Sequence, residues 1–171
     1  NDQAIAQLFM DNGTVTGAGT LSFANNNLVL NDTNLITGGT IDTGTNELIF
    51  AVQTGETVVD SVITGTNQVR HQFGDAGALT LGGANTFSGN YSATAASTTR
   101  LGADNVLGTG DLVTENNSKI TSDDASSART ITNRVSVGGG SEWGRWEVGD
   151  STHLGPITFA GPMVLDSVPA N

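Results

Sequence analysis

The amino-acid sequence predicts an all-β protein built from many short strands stacked as a solenoid. Its 171 residues include 23 glycines and only 3 prolines, and 13% of them are charged. This composition fits short strands joined by tight turns, and the length suits one domain with a continuous core. Residues 77–110 are the most informative, because they combine two-residue alternation with closely spaced Gly, Asn and Asp breaks that leave no room for a helix.

The alternation is clearest in residues 78–81, Ala-Leu-Thr-Leu, where the leucines fall on one face of a strand and the threonine on the other. Residues 82–85, Gly-Gly-Ala-Asn, then supply a corner, since Gly and Asn tolerate the positive φ angles of tight bends. Another short run, Thr86-Phe87-Ser88, ends at a second Gly-Asn corner. We therefore expect the leucines of residues 77–110, Phe87 and Val106-Leu107 to face the interior.

Strand-like fragments recur along the whole chain, and nearly every gap between them holds Gly, Asn, Asp or Thr. Besides residues 77–110 they are residues 20–23, 28–30, 39–41, 48–50, 57–59, 112–113, 135–137, 146–148, 157–159 and 164–165. Phe23, Phe50 and Phe73 follow one another at intervals of 27 and 23 residues, close to one solenoid turn.

Coils of about 20 to 25 residues predict roughly seven or eight coils in a rod about 35 to 40 Å long. A β-sandwich or jelly roll is the main competitor. Longer alternating strands would be expected in either of those folds.

The two ends and the corners carry further expectations. Residues 1–10 contain Ile5, Leu8 and Phe9 and predict either a short capping helix or a strand, whereas residues 167–171 form no obvious cap. Asn and Thr recur at the corners, where they serve either as favoured turn residues or as hydrogen-bonded side-chain ladders along the axis. The corner sites are residues 25–27, 33–34, 45–46, 66–67, 85–86 and 116–117.

Charge and cysteine content narrow the class of protein. Six basic against 17 acidic side chains give a formal net charge of -11, which argues against a nucleic-acid partner because no basic stripe exists to displace counterions. The absence of cysteine excludes disulfides and thiolate metal sites. No apolar run approaches the roughly 20 residues of a membrane-spanning helix. An acidic surface of this kind would keep an extended extracellular protein soluble or attract cations loosely.

Carboxylate clusters that would suit acid/base chemistry are weak. Asp123 and Asp124 are adjacent, so on an extended chain they point to opposite faces, and we expect a solvated turn there. A second acidic cluster lies beside aromatic rings, which would suit a sugar site; alternatively Trp146 fills the coil interior while Arg145 pairs with an acid outside. That cluster comprises Glu142, Trp143, Arg145, Trp146, Glu147 and Asp150.

The other reactive residue types are equally isolated. His71 and His153 are 82 residues apart, which predicts surface or corner positions and no zinc site. Ser88 lacks the full G-x-S-x-G elbow and the following helix, so we expect it at a turn. We therefore assign no catalytic, cofactor-binding or metal-binding residue and do not expect an enzyme. The basic side chains are spread out at Lys119, Arg70, Arg100, Arg129, Arg134 and Arg145.

Two known patterns are also relevant to the sequence, one for calcium binding and one for glycan attachment. Residues 38–42 and 82–85 both fail the G-G-x-G-x-D spacing of calcium-binding β-rolls. Sequons of the form N-x-[ST] occur at Asn12, Asn31, Asn90 and Asn116, where a glycan would suit an exposed corner.

Residues 79–89, LTLGGANTFSG, followed by residues 100–113, RLGADNVLGTGDLV, resemble the strand repeat of bacterial autotransporter passenger domains and related surface proteins. Both halves occur in order at the expected separation. The resemblance implies a right-handed parallel β-helix at the bacterial cell surface. Residues 91–99 are poorer in apolar side chains than the usual second strand, and the sequence lacks a C-terminal membrane barrel. The chain is therefore expected to be a piece of a larger protein or a small secreted subunit.

We expect residues 1–171 to form one solenoid domain, with weakly matching coils in 1–76, the clearest repeat in 77–122 and C-terminal coils in 123–171. The function indicated is a structural or adhesive surface module that self-associates through its coil ends into a filament, with surface glycans as a second candidate partner. The alternative is a polysaccharide lyase or hydrolase on the same scaffold, because fold alone does not decide function.

Overall fold

In the computed structural model, the chain forms a stack of parallel β-strands, which confirms the predicted all-β solenoid. The structure describes residues 2–25, 27–73, 76–115, 118–123, 128–137, 157–159 and 163–165. Within these ranges every strand pair is parallel and no helix occurs, so none of the described segments is a helix that could cross a membrane.

The strands are short, as the closely spaced corners require. In chain order they are β1 (Gln3–Ile5), β2 (Leu8–Asp11), β3 (Thr14–Thr16), β4 (Thr20–Phe23), β5 (Asn27–Asn31), β6 (Asn34–Thr37), β7 (Thr40–Asp42), β8 (Leu48–Val52), β9 (Thr54–Val59), β10 (Val62–Thr64), β11 (Val69–Gln72), β12 (Ala76–Leu81), β13 (Tyr91–Ala93), β14 (Thr98–Leu101), β15 (Leu112–Thr114), β16 (Lys119–Ser122), β17 (Arg129–Ile131), β18 (Val135–Val137), β19 (Ile157–Phe159) and β20 (Met163–Leu165).

Successive strands are distributed among three faces of the solenoid. Sheet I has the order β1-β4-β7-β10, sheet II has the order β2-β5-β8-β11-β13-β15-β18-β20, and sheet III has the order β3-β6-β9-β12-β14-β16, while β17 pairs with β19. Sheet II takes one strand from each of eight successive coils, and six of these coils also contribute a strand to sheet III. Numbered from the first strand, coil 1 is residues 3–16, coil 3 is 40–59, coil 4 is 62–81, coil 5 is 85–101 and coil 6 is 105–122.

The register of sheet II gives the length of each coil. Successive partners are 20 to 23 residues apart from Leu8 to Val135, and 28 residues apart for Val135 and Met163. The phenylalanine spacing predicts nearly this coil length, but the phenylalanines are not the residues that pair. Phe50 pairs with His71 on the next coil, and Phe73 is 55% exposed at a corner. Phe23 lies in sheet I, so the three rings do not occupy equivalent positions.

The core is a continuous column of apolar side chains between the three faces. Leu79, Leu81, Phe87, Val106 and Leu107 are all fully buried, which confirms the interior positions expected from the alternation. Burial of each such side chain stabilises the fold by roughly 1.5 to 3 kcal/mol. Because a strand of three or four residues offers only two inward positions, stability depends on stacking many coils.

Neighbouring coils meet at the corners in two ways, through close backbone packing at a glycine and through hydrogen bonds from an asparagine side chain. At Gly39 the φ angle is 57°, and a Cβ atom there would lie 2.3 Å from the Gly19 carbonyl oxygen, so only glycine fits. At Asn85 the side-chain Oδ1 accepts a 2.7 Å hydrogen bond from Ile63 N, and Nδ2 donates one of 2.7 Å to Val106 O. Asn85 thus bridges coils 4, 5 and 6 through backbone groups, so at this corner the asparagine bonds the backbone of its neighbours and not another amide side chain.

The first residues form strands, so of the two alternatives for residues 1–10 the strand is the one observed. β1 and β2 pair with the next coil at Ile5↔Phe23 and Leu8↔Leu28. Coil 1 is therefore a turn of the solenoid itself.

Candidate functional site

Of the two adjacent carboxylates for which the sequence predicts a solvated turn, Asp123 lies within the described residues. Asp123 lies at a corner, where its Oδ1 accepts hydrogen bonds from Arg129 Nη2 at 2.7 Å and Nε at 3.1 Å. Asp124 and the acidic and aromatic cluster of residues 142–150 lie outside the described residues, as does His153. Asp123 is therefore a partner in a surface ion pair.

Four arginines each pair with one acid, three of them on another coil. Arg70 Nε lies 2.8 Å from Glu47 Oε1, and Arg100 Nη1 lies 2.8 Å from Glu56 Oε1; Arg134 pairs with Asp111 and Arg129 with Asp123. All of these side chains are partly exposed, so each pair contributes about 1 kcal/mol or less to stability. Throughout the described ranges, no group of three or more His, Asp or Glu side chains is placed to hold a metal ion.

Ser88 is exposed at the corner that leads into β13, and its backbone N donates to Gly65 O. Of the sequon asparagines, Asn12 and Asn90 are exposed, Asn31 is half-buried, and Asn116 lies outside the described residues. In the glycine-rich segment 38–42, Asp42 Oδ1 accepts a 2.9 Å hydrogen bond from Gly44 N, so this carboxylate stabilises its own turn.

His71 is the main correction to the expected positions of these residues. The sequence spacing predicts a surface or corner histidine, but His71 points into the solenoid from β11 and has no exposed surface. Burial lowers the pKa of its imidazole to about 3, because a charged ring would lose its hydration inside the core. His71 is therefore neutral at ordinary pH.

Two hydroxyl groups join His71 in a polar cluster inside the core. His71 Nδ1 lies 3.0 Å from Thr99 Oγ1, and the Tyr91 hydroxyl lies 2.7 Å from the same oxygen. Burial also raises the pKa of Tyr91 above its ordinary value, despite the hydrogen bond to Thr99. The cluster connects β11, β13 and β14 through uncharged groups.

Sequence reasoning missed this cluster, although a signal was present. In Val69-Arg70-His71-Gln72 the two-residue period places His71 on the same face as Val69. Arg70 accordingly faces outward, where it meets Glu47. A histidine that shares its face with valine in a short strand predicts a buried imidazole.

A polar groove of about 540 Å³ lies beside coils 5 and 6. On the face where sheet I would continue, these two coils contribute no strand. The charged groups in its lining, Asp111 and Arg134, form an ion pair with each other. The remaining lining residues are Asn85, Asn105, Gly108, Thr109, Thr132 and Asn133. The groove thus offers amide and hydroxyl groups with a paired carboxylate.

The outer side of coil 1, which we call the open end, is the other notable surface. Among the described residues β1, β2 and β3 each pair with one neighbour only, so the other edge of each strand has unpaired backbone groups. The inward-facing Ile5, Leu8 and Val15 are only partly buried. A separate cavity of about 200 Å³ lies on the side of the solenoid, at the corner between sheets III and I, and is lined by Val15, Leu21, Ile36 and Ile41 together with corner glycines.

Among the described residues the arrangement therefore comprises a packed interior that holds the neutral cluster of His71, Thr99 and Tyr91, four arginine–carboxylate pairs at the surface, a polar groove and an apolar open end. No family model matches the chain, and neither a curated protein nor a solved structure matches it.

Proposed function

We propose that the chain is a structural module of an extracellular or cell-surface protein, and that it self-associates by stacking a second copy on its open end. The observation that carries this proposal is the stacking of the coils, in which short parallel strands pair with those of the next coil through backbone hydrogen bonds and the apolar interior continues from coil to coil. An unpaired strand edge is a template for a further strand, and each coil of this chain is already added to the previous one in that way.

The surface location is supported by three properties of the chain. Its net charge of -11 favours solubility of an extended rod, and the absence of cysteine suits export without oxidation. The resemblance of residues 79–113 to a repeat of bacterial surface proteins points to the same class. A stiff rod of this kind functions by its length and regular stacking.

Sedimentation velocity and electron microscopy of the purified chain across a wide concentration range test the self-association. We expect oligomers whose length grows in steps of one rod. Leu8→Lys places a charge on the inward face of the open end, so it should abolish these oligomers. Phe9→Lys is the matched control, because Phe9 is the next residue but is 67% exposed on the outer face, and this variant should still associate.

Monomers of the unmodified chain at every concentration would refute the self-association. Equal loss of association in both variants would show that coil 1 contributes only through its charge. Immunogold labelling of intact cells of the source organism tests the location separately, and labelling confined to the cell interior would contradict it.

A further inference from the structure

Three buried polar atoms near the centre of the solenoid have no hydrogen-bond partner in the part of the chain that the structure describes. They are His71 Nε2, Thr114 Oγ1 and Ser118 Oγ. All three residues are at most 2% exposed. Polar groups in protein interiors are usually satisfied, either by protein atoms or by ordered water, because an unpaired buried group loses its hydration without compensation.

Two of these atoms belong to one inward-facing column of sheet II. The column runs Leu28, Phe50, His71, Ala93 and Thr114 on consecutive strands, according to the register. Ala93 is the smallest side chain in it and lies between His71 and Thr114, which are two strand spacings, or about 10 Å, apart at the backbone. Ala93 carries only a methyl group, whereas leucine and phenylalanine stand in the same column at positions 28 and 50.

The hydrogen-bond partners of Thr99 determine where the protons lie. If Tyr91 donates to Thr99 Oγ1 and Thr99 donates to His71 Nδ1, the remaining unsatisfied hydrogen of the chain is the one on His71 Nε2. The reverse direction leaves both a hydroxyl hydrogen of Tyr91 and the lone pair of Nε2 without partners. The first arrangement is therefore favoured, and it makes Nε2–H a buried donor.

We propose that an ordered water molecule binds inside the solenoid beside Ala93, where it accepts a hydrogen bond from His71 Nε2–H and donates one to Thr114 Oγ1. A buried water molecule makes two to four hydrogen bonds to polar groups, and His71 Nε2 and Thr114 Oγ1 supply two of them. The third orphan atom, Ser118 Oγ, lies on the same coil as Thr114. The water links coil 4 to coil 6 past the methyl group of coil 5.

Thr114→Val tests the proposal, because it removes the hydroxyl while keeping the branched shape. If Thr114 Oγ1 bonds to a bound water, the change should raise the unfolding equilibrium constant about fivefold. If the hydroxyl is buried without a partner, removing it should leave that constant unchanged or lower it. Thr99→Val is the positive control, since its hydroxyl has two observed partners and its loss should destabilise the fold.

Nuclear magnetic resonance gives the second readout. The ¹⁵N shifts of His71 should report the Nε2–H tautomer, and this hydrogen should show a cross-peak to a long-lived water in the unmodified chain. The cross-peak should be lost in Thr114→Val. A neutral or stabilising Thr114→Val change, an Nδ1–H tautomer, or the absence of the water cross-peak would each overturn the proposal.

Discussion

The buried imidazole of His71 predicts a specific loss of stability in mild acid. The pKa of His71 is about 3 in the folded chain, against an ordinary value of 6.5. Between these values the unfolded chain binds a proton that the folded chain does not, so stability falls as the pH falls. The described interior buries no carboxylate, lysine or arginine, so no acid there stabilises an imidazolium ion.

The size of the effect follows from the difference between the two pKa values. Each pH unit between 6.5 and 3 costs about 1.4 kcal/mol, so the free energy of unfolding should fall by about 2 kcal/mol at pH 5 and about 4 kcal/mol at pH 3, where the folded-state imidazole is itself half protonated. Hydrogen bonds from Thr20 lower the pKa of Asp2 below its ordinary value of 3.8. The stabilisation that Asp2 gives the folded chain is therefore unchanged above pH 5. In that range, protonation of His71 in the unfolded chain already lowers the free energy of unfolding.

Urea unfolding between pH 5 and pH 7, followed by circular dichroism, measures this difference against His71→Phe. A phenyl ring should fit, because Phe50 occupies the same inward position one coil away. We expect the unmodified chain to lose about 2 kcal/mol over this range and the variant to lose much less, while any effect of His153 is common to both. Equal pH dependence of the two chains, or a folded-state His71 pKa near 6.5 by nuclear magnetic resonance, would refute the reasoning.

Two further predictions concern the corners. Gly39→Ala should destabilise the chain by more than about 1 kcal/mol, because Gly39 has a positive φ and a Cβ atom there would lie close to a carbonyl oxygen. Gly17→Ala is the control at the same corner: a Cβ atom at Gly17 would have no other atom within 4 Å, so this change should be nearly neutral. Equal shifts of the melting temperature in the two variants would contradict the prediction. Asn85→Ala should lower the free energy of unfolding in urea by about 1 to 3 kcal/mol, because it leaves two backbone groups of neighbouring coils unpaired. Asn46 is exposed, so Asn46→Ala is the control. An effect of Asn85→Ala no larger than that of the control would contradict the bridging role.

Much of the fold was predictable from local sequence. The alternation of Leu79 and Leu81 about Thr80 gives the buried face directly, since a strand has a period of two residues. The glycines at 82 and 83 and the asparagine at 85 mark the corner, although none of them has a positive φ. A Cβ atom at Gly83 would lie 2.3 Å from the Ser61 carbonyl oxygen, and Asn85 satisfies backbone groups of the neighbouring coils. The approximate coil length also emerged, although Phe73 misled the register, because an apolar residue at a corner resembles one in a strand.

The candidate sites were less predictable, because contacts between coils join residues about 20 positions apart. His71 illustrates this: its strand pattern indicated an inward face, but its isolation from other histidines suggested the surface. Its partners Tyr91 and Thr99 come from the next coil, and the register that aligns them depends on every corner length between them. Single-sequence spacing does not resolve such lengths.

The sequence by itself determined that this chain is an all-β stack of short strands with an apolar interior and an acidic exterior, because side-chain periodicity, corner residues and net charge are local properties. The tertiary structure decided which residues meet across the coils: the His71, Thr99 and Tyr91 cluster, the Asn85 bridge, the ion pair of Glu56 with Arg100, and the open end of coil 1. These contacts arise from stacking, in which a one-residue change of corner length would turn a neighbouring strand over and replace every partner.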